Sequence, residues 1–168
     1  MESINNSNNF RNDEKSFIIT QLSASYQAFG AVMHFLSEMP PFLAFEIGIL
    51  ADVVRTQLRH GQHLAAMAGD TMVGYAGWLR TSADEAAAWV DGRAILTARF
   101  DERTDAAALT IFAVAYPAVT ARLIRGARSL NPGVEVFFKR DTEIKYPISR
   151  KASVLNFMPK QPAIDGGI

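Results

Sequence analysis

The sequence predicts an α/β fold, a mixed sheet flanked by helices, with two helices ahead of the sheet. The length of 168 residues, with 49% hydrophobic and 20% charged residues, is typical of one globular domain that buries a sizeable core. Helical periodicity dominates the first third of the chain, and short apolar runs bounded by turn residues follow it. Helical segments recur between those runs, which is the pattern of an α/β arrangement.

Two helices are predicted before the sheet. Residues 15–38 repeat apolar side chains at helical spacing, which gives one apolar face. The members of that face are Phe17, Leu22, Phe29, Val32, Met33 and Leu36. Pro40 and Pro41 end this helix and begin the next one, because proline is tolerated in the first helical turn. The second helix is expected to run to His60, with Gly61 as its stop.

A hairpin and a short helix are predicted next. The apolar runs His63–Ala68 and Thr71–Leu79 flank Gly69-Asp70, a dipeptide typical of hairpin turns. Ser82, with a glutamate three residues later, forms a capping box that opens a short helix through Trp89.

The remaining elements continue the alternation of strand and helix. Strands are expected at 94–100 and 109–116, and the second is almost wholly apolar, as a central strand covered on both faces should be. A helix at 118–129 is ended by Asn131-Pro132-Gly133. The last two predicted strands are Val134–Arg140 and Glu143–Ile148.

The two ends of the chain differ in composition from its middle. Residues 1–14 are expected to be a disordered leader, 15–158 a single domain and 159–168 a flexible tail. The chain has no cysteine, which excludes disulfide scaffolds, thiolate zinc sites and cysteine nucleophiles. Glu46 and Asp52 interrupt the best candidate for a membrane span, and the first residues lack the apolar region of a secretory signal. A cytoplasmic protein is therefore expected.

The charge is unevenly distributed although its net value is zero. Residues 117–160 contain nine bases and three acids, a balance of +6. A basic half is typical of a solvated surface, and it also suits an acidic partner attracted electrostatically. That partner would be a protein rather than a nucleic acid, because the sequence has no recognition-helix pattern and no exposed stripe of aromatic and basic residues.

Glu46 is the most informative polar residue of the second predicted helix. With 3.6 residues per turn it falls within the apolar arc of Ile49, Leu50 and Val53, with Gln57 beside it. A carboxylate on an apolar face suits a general acid or base. The alternative is structural, with Glu46 paired to an arginine or placed at the edge of a cleft.

No cofactor and no metal are expected. Of the three histidines, His34 is predicted to face water, His60 to lie in the last turn of a helix and His63 to begin a strand. His60 and His63 lack the third histidine or cysteine that a zinc site requires. The sequence also lacks a P-loop, a nucleophile elbow and a dinucleotide fingerprint.

The segment Met72–Trp78 is part of a set of collinear matches to one family. It reads Met-Val-Gly-Tyr-Ala-Gly-Trp, with Gln62 upstream and Phe-Ala-Val-Ala-Tyr-Pro at Phe112–Pro117 downstream. These segments resemble Pro-Val-Ala-Tyr-Cys-Ser-Trp and Ile-Asp-Trp-Ile-Ala-Pro of the RTX toxin-activating lysine acyltransferases, the hemolysin-activating family, which acylates internal lysines of pore-forming protoxins. Further matches are Gly30, Met39–Phe42 and Phe138–Asp141, so that the resemblance covers about residues 28–153.

The resemblance implies an acetyltransferase-like fold, a fatty acyl group taken from acyl carrier protein rather than coenzyme A, and a homodimer. It places the catalytic histidine of the family on Phe42 and its aspartate on Ala113. Neither side chain can handle a proton, so the family's acid–base mechanism cannot operate here as written. Glu46, one turn beyond Phe42 on the same predicted face, is the candidate substitute. The candidate binding residues are Tyr75, Trp78 and Arg140.

Three functions remain open at this point. The sequence favours a degenerate acyltransferase scaffold, whose former cleft, lined by Phe42 and Ala113, binds an acyl chain, a small molecule or a protein segment. The second is an active protein-lysine acyltransferase that uses acyl carrier protein as donor, Glu46 or a water as base and an RTX-type protein as partner. The third is an unrelated α/β binding protein.

Overall fold

A five-stranded mixed sheet organises the part of the chain that the computed structural model describes, residues 16–40, 42–96 and 104–139. The strands lie in the order β1-β2-β3-β4-β5; neighbours are antiparallel except that β5 runs parallel to β4. The strands are β1 Ile18–Thr20, β2 His63–Ala68, β3 Thr71–Thr81, β4 Ala106–Val114 and β5 Glu135–Phe138. The helices are α1 Tyr26–Ser37, α2 Ile47–Arg59, α3 Ala83–Val90 and α4 Pro117–Leu130, with a 3₁₀ turn at Phe42–Ala44. The predicted mixed α/β fold is confirmed.

The first helix is shorter than the sequence predicts. It begins at Tyr26, where the hydroxyl of Ser25 accepts a hydrogen bond from an N–H of the first turn at 3.1 Å. Upstream of it, Ile18–Thr20 form the edge strand β1, which pairs with Ala65–Met67 of β2. β-branched residues pack well in a strand once a neighbouring strand is present. A helix over 15–38 was therefore wrong at its start, and a strand precedes both helices.

The second helix also begins later than predicted. After Pro40 the described chain resumes with the 3₁₀ turn, and α2 starts at Ile47 with Glu46 as its N-cap. The helix ends at Arg59, and Gly61 adopts a φ of +64°. This left-handed conformation stops a helix and favours glycine, so the predicted stop is confirmed.

The hairpin and the later helices agree with the sequence. Strands β2 and β3 flank Gly69, and Ser82 caps α3 by accepting a hydrogen bond from the Glu85 N–H at 3.3 Å. Helix α4 has Pro117 as its first residue and Asn131 as its C-cap, close to the predicted bounds.

One predicted strand differs, and another falls outside the described residues. Ala94–Leu96 are not in a strand, and the rest of the expected strand 94–100 lies outside the described residues. The strand expected at 109–116 is β4, which starts earlier and ends earlier. The leader 1–14, the strand 143–148, the tail 159–168 and the outer bounds of the domain 15–158 also lie outside the described residues.

The sheet separates two hydrophobic layers. The α1/α2 layer is formed by buried residues of α1, the 3₁₀ turn, α2 and the sheet: Ala28, Val32, Phe35, Leu36, Phe42, Leu50, Val54, Leu58, Ala65, Tyr75, Ile111 and Ala113. The α4 layer lies on the opposite face and is formed by Leu64, Ala66, Val73, Ala76, Trp78, Ala107, Val119, Leu123 and Val134. Helices α1 and α2 thus cover one face of the sheet, and α4 covers the other.

A bulge in β4 moves its side chains from one layer to the other. Gly77 of β3 pairs with Ile111, whereas Trp78 pairs with Leu109, so Thr110 is the extra residue of β4. Leu109 therefore packs against the α4 layer, whereas Ile111 belongs to the α1/α2 layer. The bulge places the end of β4 in the layer that holds the candidate site.

Candidate functional site

Phe42 and Ala113, the two positions that the resemblance assigns to catalysis, lie in the same hydrophobic layer. Phe42 opens the 3₁₀ turn and is 7% exposed, and Ala113 is near the end of β4 and is 5% exposed. Ala113 pairs with Tyr75, and the ring of Phe42 contacts that of Phe45 at 5.5 Å between centroids. Both belong to the α1/α2 layer. The two apolar side chains are thus on the same side of the sheet.

The carboxyl end of β4 extends beyond its parallel neighbour. Pairing with β5 covers Ala106–Leu109, so within the described residues the segment that contains Ala113 continues past this pairing. The chain then enters α4 through Tyr116. Ala113 lies in this extension of β4, where it is buried and paired with Tyr75 of β3.

A buried polar cluster lies in the same layer and is centred on Gln57 of α2. Gln57 is completely buried; its Oε1 accepts a hydrogen bond from the Tyr75 hydroxyl at 3.1 Å, and its Nε2 donates to Oγ1 of Thr110 at 2.8 Å. A Cβ at Gly77 would overlap the carboxamide of Gln57. These four residues form the Gln57 cluster. Thr110 reaches Gln57 because of the bulge in β4, and Gly77 leaves space for the carboxamide because it has no side chain. Directional hydrogen bonds thus hold α2 to β3 and β4.

His63 of β2 lies beside this cluster and is also completely buried. Its Nδ1 donates to the carbonyl oxygen of Gln57 at 3.1 Å, and its Nε2 accepts the Leu22 N–H at 2.9 Å. A neutral imidazole has one donor and one acceptor, so the ring that satisfies both bonds carries its proton on Nδ1. Burial lowers the pKa of His63, and burial raises the pKa of Tyr75. Both groups are therefore neutral near pH 7.

The structure contradicts the expected position of Glu46 on a buried apolar face. Glu46 is exposed at the N-cap of α2, and its side chain makes no capping hydrogen bond. The helical projection fails because Phe42 lies in the 3₁₀ turn rather than in α2. The side of α2 that is buried consists of Leu50, Val54, Gln57 and Leu58. A role of Glu46 as a base stays a prediction.

The other candidate residues are distributed over both faces. Tyr75 is in the Gln57 cluster, whereas Trp78 belongs to the α4 layer and donates its backbone N–H to the Gln62 carbonyl at 3.0 Å. Arg140 lies outside the described residues. His34 and His60 are exposed, as expected for His34. The structure therefore does not gather Tyr75 and Trp78 into one site.

Helix α4 presents a basic face to solvent. Arg122, Arg125 and Arg128 are exposed, and residues 106–134 contain no aspartate or glutamate. The guanidinium of Arg122 lies over the ring of Phe17, 4.7 Å from its centroid. The three arginines are three of the four bases of the basic half that lie within the described residues, and Lys139 is the fourth.

Neither a cluster of metal ligands nor a membrane-spanning helix is present in the part of the chain that the structure describes. In residues 16–40, 42–96 and 104–139, no three His, Cys, Asp or Glu side chains are placed to hold a metal ion together. In the same ranges, no helix has the length and apolar character needed to cross a membrane.

Comparison with solved structures places this architecture among known folds. The chain is similar to the loading GNATL domain of CurA from Lyngbya majuscula, with a TM-score of 0.53 and 11% identity, covering 79% of this chain and 71% of that chain. It is also similar to the PaiA N-acetyltransferase from Thermoplasma acidophilum in complex with coenzyme A, with a TM-score of 0.48 and 9% identity, covering 86% and 99%. No family model matches the chain, and no curated protein matches its sequence. The likeness to the GNATL domain shows an acetyltransferase-like fold, as the sequence predicted.

Proposed function

We propose that this chain is a degenerate acyltransferase scaffold of the RTX toxin-activating type, which binds an acyl group or a protein segment beside Phe42 and Ala113. The observation that carries the proposal is the chemistry of these two side chains. Both are apolar and both are buried in the α1/α2 layer, where the mechanism of that family requires a histidine and an aspartate. A phenyl ring and a methyl group can neither accept nor release a proton.

The titratable side chains of the same layer do not replace the lost pair. Both ring nitrogens of His63 are engaged, one with Gln57 and one with Leu22. The Tyr75 hydroxyl donates to Gln57. A general base needs a free lone pair within reach of the proton that it removes. The lone pair of His63 Nε2 accepts the Leu22 N–H, and Tyr75 is a buried neutral hydroxyl whose proton is bound to Gln57. This supports binding without catalysis.

An apolar surface next to Phe42 supports the binding of an acyl chain. Four large apolar side chains of the following residues are exposed: Leu43, Phe45, Ile47 and Ile49. Apolar side chains exposed within one short stretch mark a ligand or partner site more often than an isolated one does. Together with the carboxyl end of β4, this stretch frames the proposed binding site.

The proposed partner is an acidic protein, and acyl carrier protein is the one that the resemblance implies. The basic face of α4 would attract it, because opposite charges raise the association rate and orient the two proteins. Tyr116, at the N-cap of α4, follows the end of β4. Because α4 lies on the face of the sheet opposite the layer of Ala113, a carrier that docks on this face would have to pass its acyl chain around the carboxyl end of β4 to reach that layer.

The direct test is incubation of the protein with acyl-acyl carrier protein and a lysine-bearing RTX-type protein. We expect the carrier to bind, in native mass spectrometry, and the lysine-bearing protein to gain no acyl mass above background. Acyl transfer that Glu46→Gln abolishes and the matched exposed variant Asp52→Asn does not would contradict the proposal and favour an active enzyme. Absence of both binding and transfer would favour an unrelated binding protein.

A gain-of-function experiment tests the assignment of the two positions. Phe42→His together with Ala113→Asp restores the family's pair, and we expect detectable acyl transfer from the double variant only. Ala113→Asn in place of Ala113→Asp is the matched control, because it adds similar volume without a carboxylate. A double variant that keeps a cooperative thermal transition but transfers no acyl group would show that these positions are not the former catalytic ones.

A further inference from the structure

His63 connects two parts of the chain that are far apart in sequence. The ring is buried between the carbonyl oxygen of Gln57, at the end of α2, and the Leu22 N–H, in the connector that leads from β1 to α1. The Leu22 amide lies 41 residues before the ring that accepts its hydrogen bond. Nε2 can accept this bond only while it carries no proton.

Protonation would turn this contact from attraction to repulsion. Nε2 would then carry a hydrogen directed at the Leu22 N–H, so two donors would face each other and the Leu22 amide would lose its acceptor. We propose that His63 is a pH-dependent latch, whose protonation releases the connector of residues 21–25 from the end of α2 while the sheet remains folded. This latch would operate whether or not the chain binds an acyl group.

The surroundings of the ring offer little to stabilise an imidazolium. On β3, the Tyr75 ring stacks on it at 5.9 Å between centroids, and Arg80 donates to the Thr104 carbonyl at 2.7 Å. Strand β1 has no charged residue, and α4 covers the opposite face of β2. The charged or titratable residues of α1, of α2 and of their caps are exposed: Tyr26, His34, Glu38, Glu46, Asp52, Arg55, Arg59 and His60.

The direction of the pH effect follows from burial. Because burial lowers the pKa of His63 from its ordinary value of 6.5, the neutral ring that accepts the Leu22 bond is present at neutral pH. The contribution of the latch is complete above about pH 6.5 and is lost as the pH falls from there towards the lowered pKa. Acidification, not alkalinisation, therefore opens the latch.

The connector matters because it precedes α1. Gln21 donates from Nε2 to the Gly61 carbonyl at 2.6 Å, and Ser25 caps the helix. Helix α1 contributes Val32 and Leu36, among others, to the α1/α2 layer. Release of the connector would loosen the first turn of α1 and increase access to the layer that contains Phe42 and Ala113.

Hydrogen exchange of the full chain, followed by NMR between pH 7.5 and 4.0, tests the latch. Protection factors are compared rather than rates, because they remove the intrinsic pH dependence of exchange. We expect the protection of the Leu22 amide to fall at least tenfold over this range while amides of β3 and β4 keep theirs. His63→Gln, which offers an acceptor without a titrating ring, should remove the fall. His34→Gln, at an exposed histidine, should leave it unchanged.

Three results would overturn the proposal. The protection at Leu22 could stay constant over the whole range, it could fall together with that of β3 and β4, or it could fall equally in His63→Gln. If His63→Gln does not fold, the ¹⁵N shifts of the ring in the unmodified chain decide. The ¹⁵N shift of Nε2 must then change over the same pH range in which the protection factor of the Leu22 amide falls. A shift change with no fall in that protection factor would also refute the latch.

Discussion

The two faces of the central sheet hold their helices by different means, although both use glycine. On the face of the α4 layer, a Cβ at Gly74 would lie 2.8 Å from Cγ1 of Val119, and one at Gly126 would lie 2.8 Å from Cδ1 of Leu64. These glycines let α4 approach β2 and β3 closely. On the other face, Gly77 makes room for the carboxamide of Gln57, so the close contact there is polar.

The difference predicts how each face responds to change. Dispersion contacts are non-directional, and an apolar side chain that is crowded can move to a neighbouring rotamer at a modest cost. A buried polar group that moves in this way loses its hydrogen bonds, and an unsatisfied donor or acceptor costs about 1–3 kcal/mol. The face that carries the Gln57 cluster should therefore be the less tolerant one.

The largest effect is expected for Gly77→Ala. The added methyl group overlaps the carboxamide of Gln57, which must then leave its two partners, the hydroxyls of Tyr75 and Thr110. We expect the free energy of unfolding to fall by about 3 kcal/mol, the sum of overpacking and of lost buried hydrogen bonds. Urea denaturation measures it.

The control is Gly77→Ala made in a chain that already carries Gln57→Ala. Without the carboxamide the added methyl group has space, so the cost of Gly77→Ala should drop to about 1 kcal/mol or less. An equal cost in both backgrounds would show that Gly77 is needed for a reason other than Gln57, and the contrast between the two faces would lose its basis.

A smaller effect is expected for Gly126→Ala on the α4 face. The added Cβ would meet Cδ1 of Leu64 at 2.8 Å and Cγ2 of Ile19 at 3.4 Å, both at the ends of apolar side chains. Alanine also favours the helix over glycine by about 1 kcal/mol, which offsets part of the crowding. We expect a net loss of roughly 1 kcal/mol in thermal or urea unfolding.

Leu64→Val tests that explanation of Gly126→Ala. Shortening the leucine removes the atom that the new methyl group would meet, so Gly126→Ala should become neutral or stabilising in this background. A loss larger than that of Gly77→Ala would reverse the comparison between the faces.

Local patterns predicted the parts of this fold whose causes are local. The hairpin at Gly69, the cap at Ser82 and the stop at Gly61 each depend on residues within one turn, and the structure confirms them. The predicted helix over 15–38 was wrong at Ile18–Thr20. These residues form strand β1 because they pair with β2, which lies far along the chain.

The candidate site was predictable only in part, for the same reason. The apolar arc of α2 already contained Gln57, and a buried polar residue was the signal for the cluster. Its partners lie 18 and 53 residues away, and one of them, Thr110, reaches Gln57 only because of the bulge in β4. No local pattern encodes that bulge. Glu46 was misplaced because α2 starts at Ile47 and not at the prolines, so Glu46 is the N-cap of the helix and lies on neither of its faces.

The smallest effect separates glycines that have a packing role from one that has none. Gly30 lies in the middle of α1, on its exposed side, and a Cβ there would meet nothing within 4 Å. Glycine in a helix interior costs about 0.5–1 kcal/mol relative to alanine, so Gly30→Ala should raise the free energy of unfolding by that amount, measured by urea denaturation. The change in the free energy of unfolding is opposite in sign to that of Gly77→Ala and Gly126→Ala, although the substitution is the same. Of these three glycines, only Gly77 and Gly126 have a side chain close enough to meet the added methyl group. A destabilised Gly30→Ala would imply that this side of α1 contacts something that the described residues do not include.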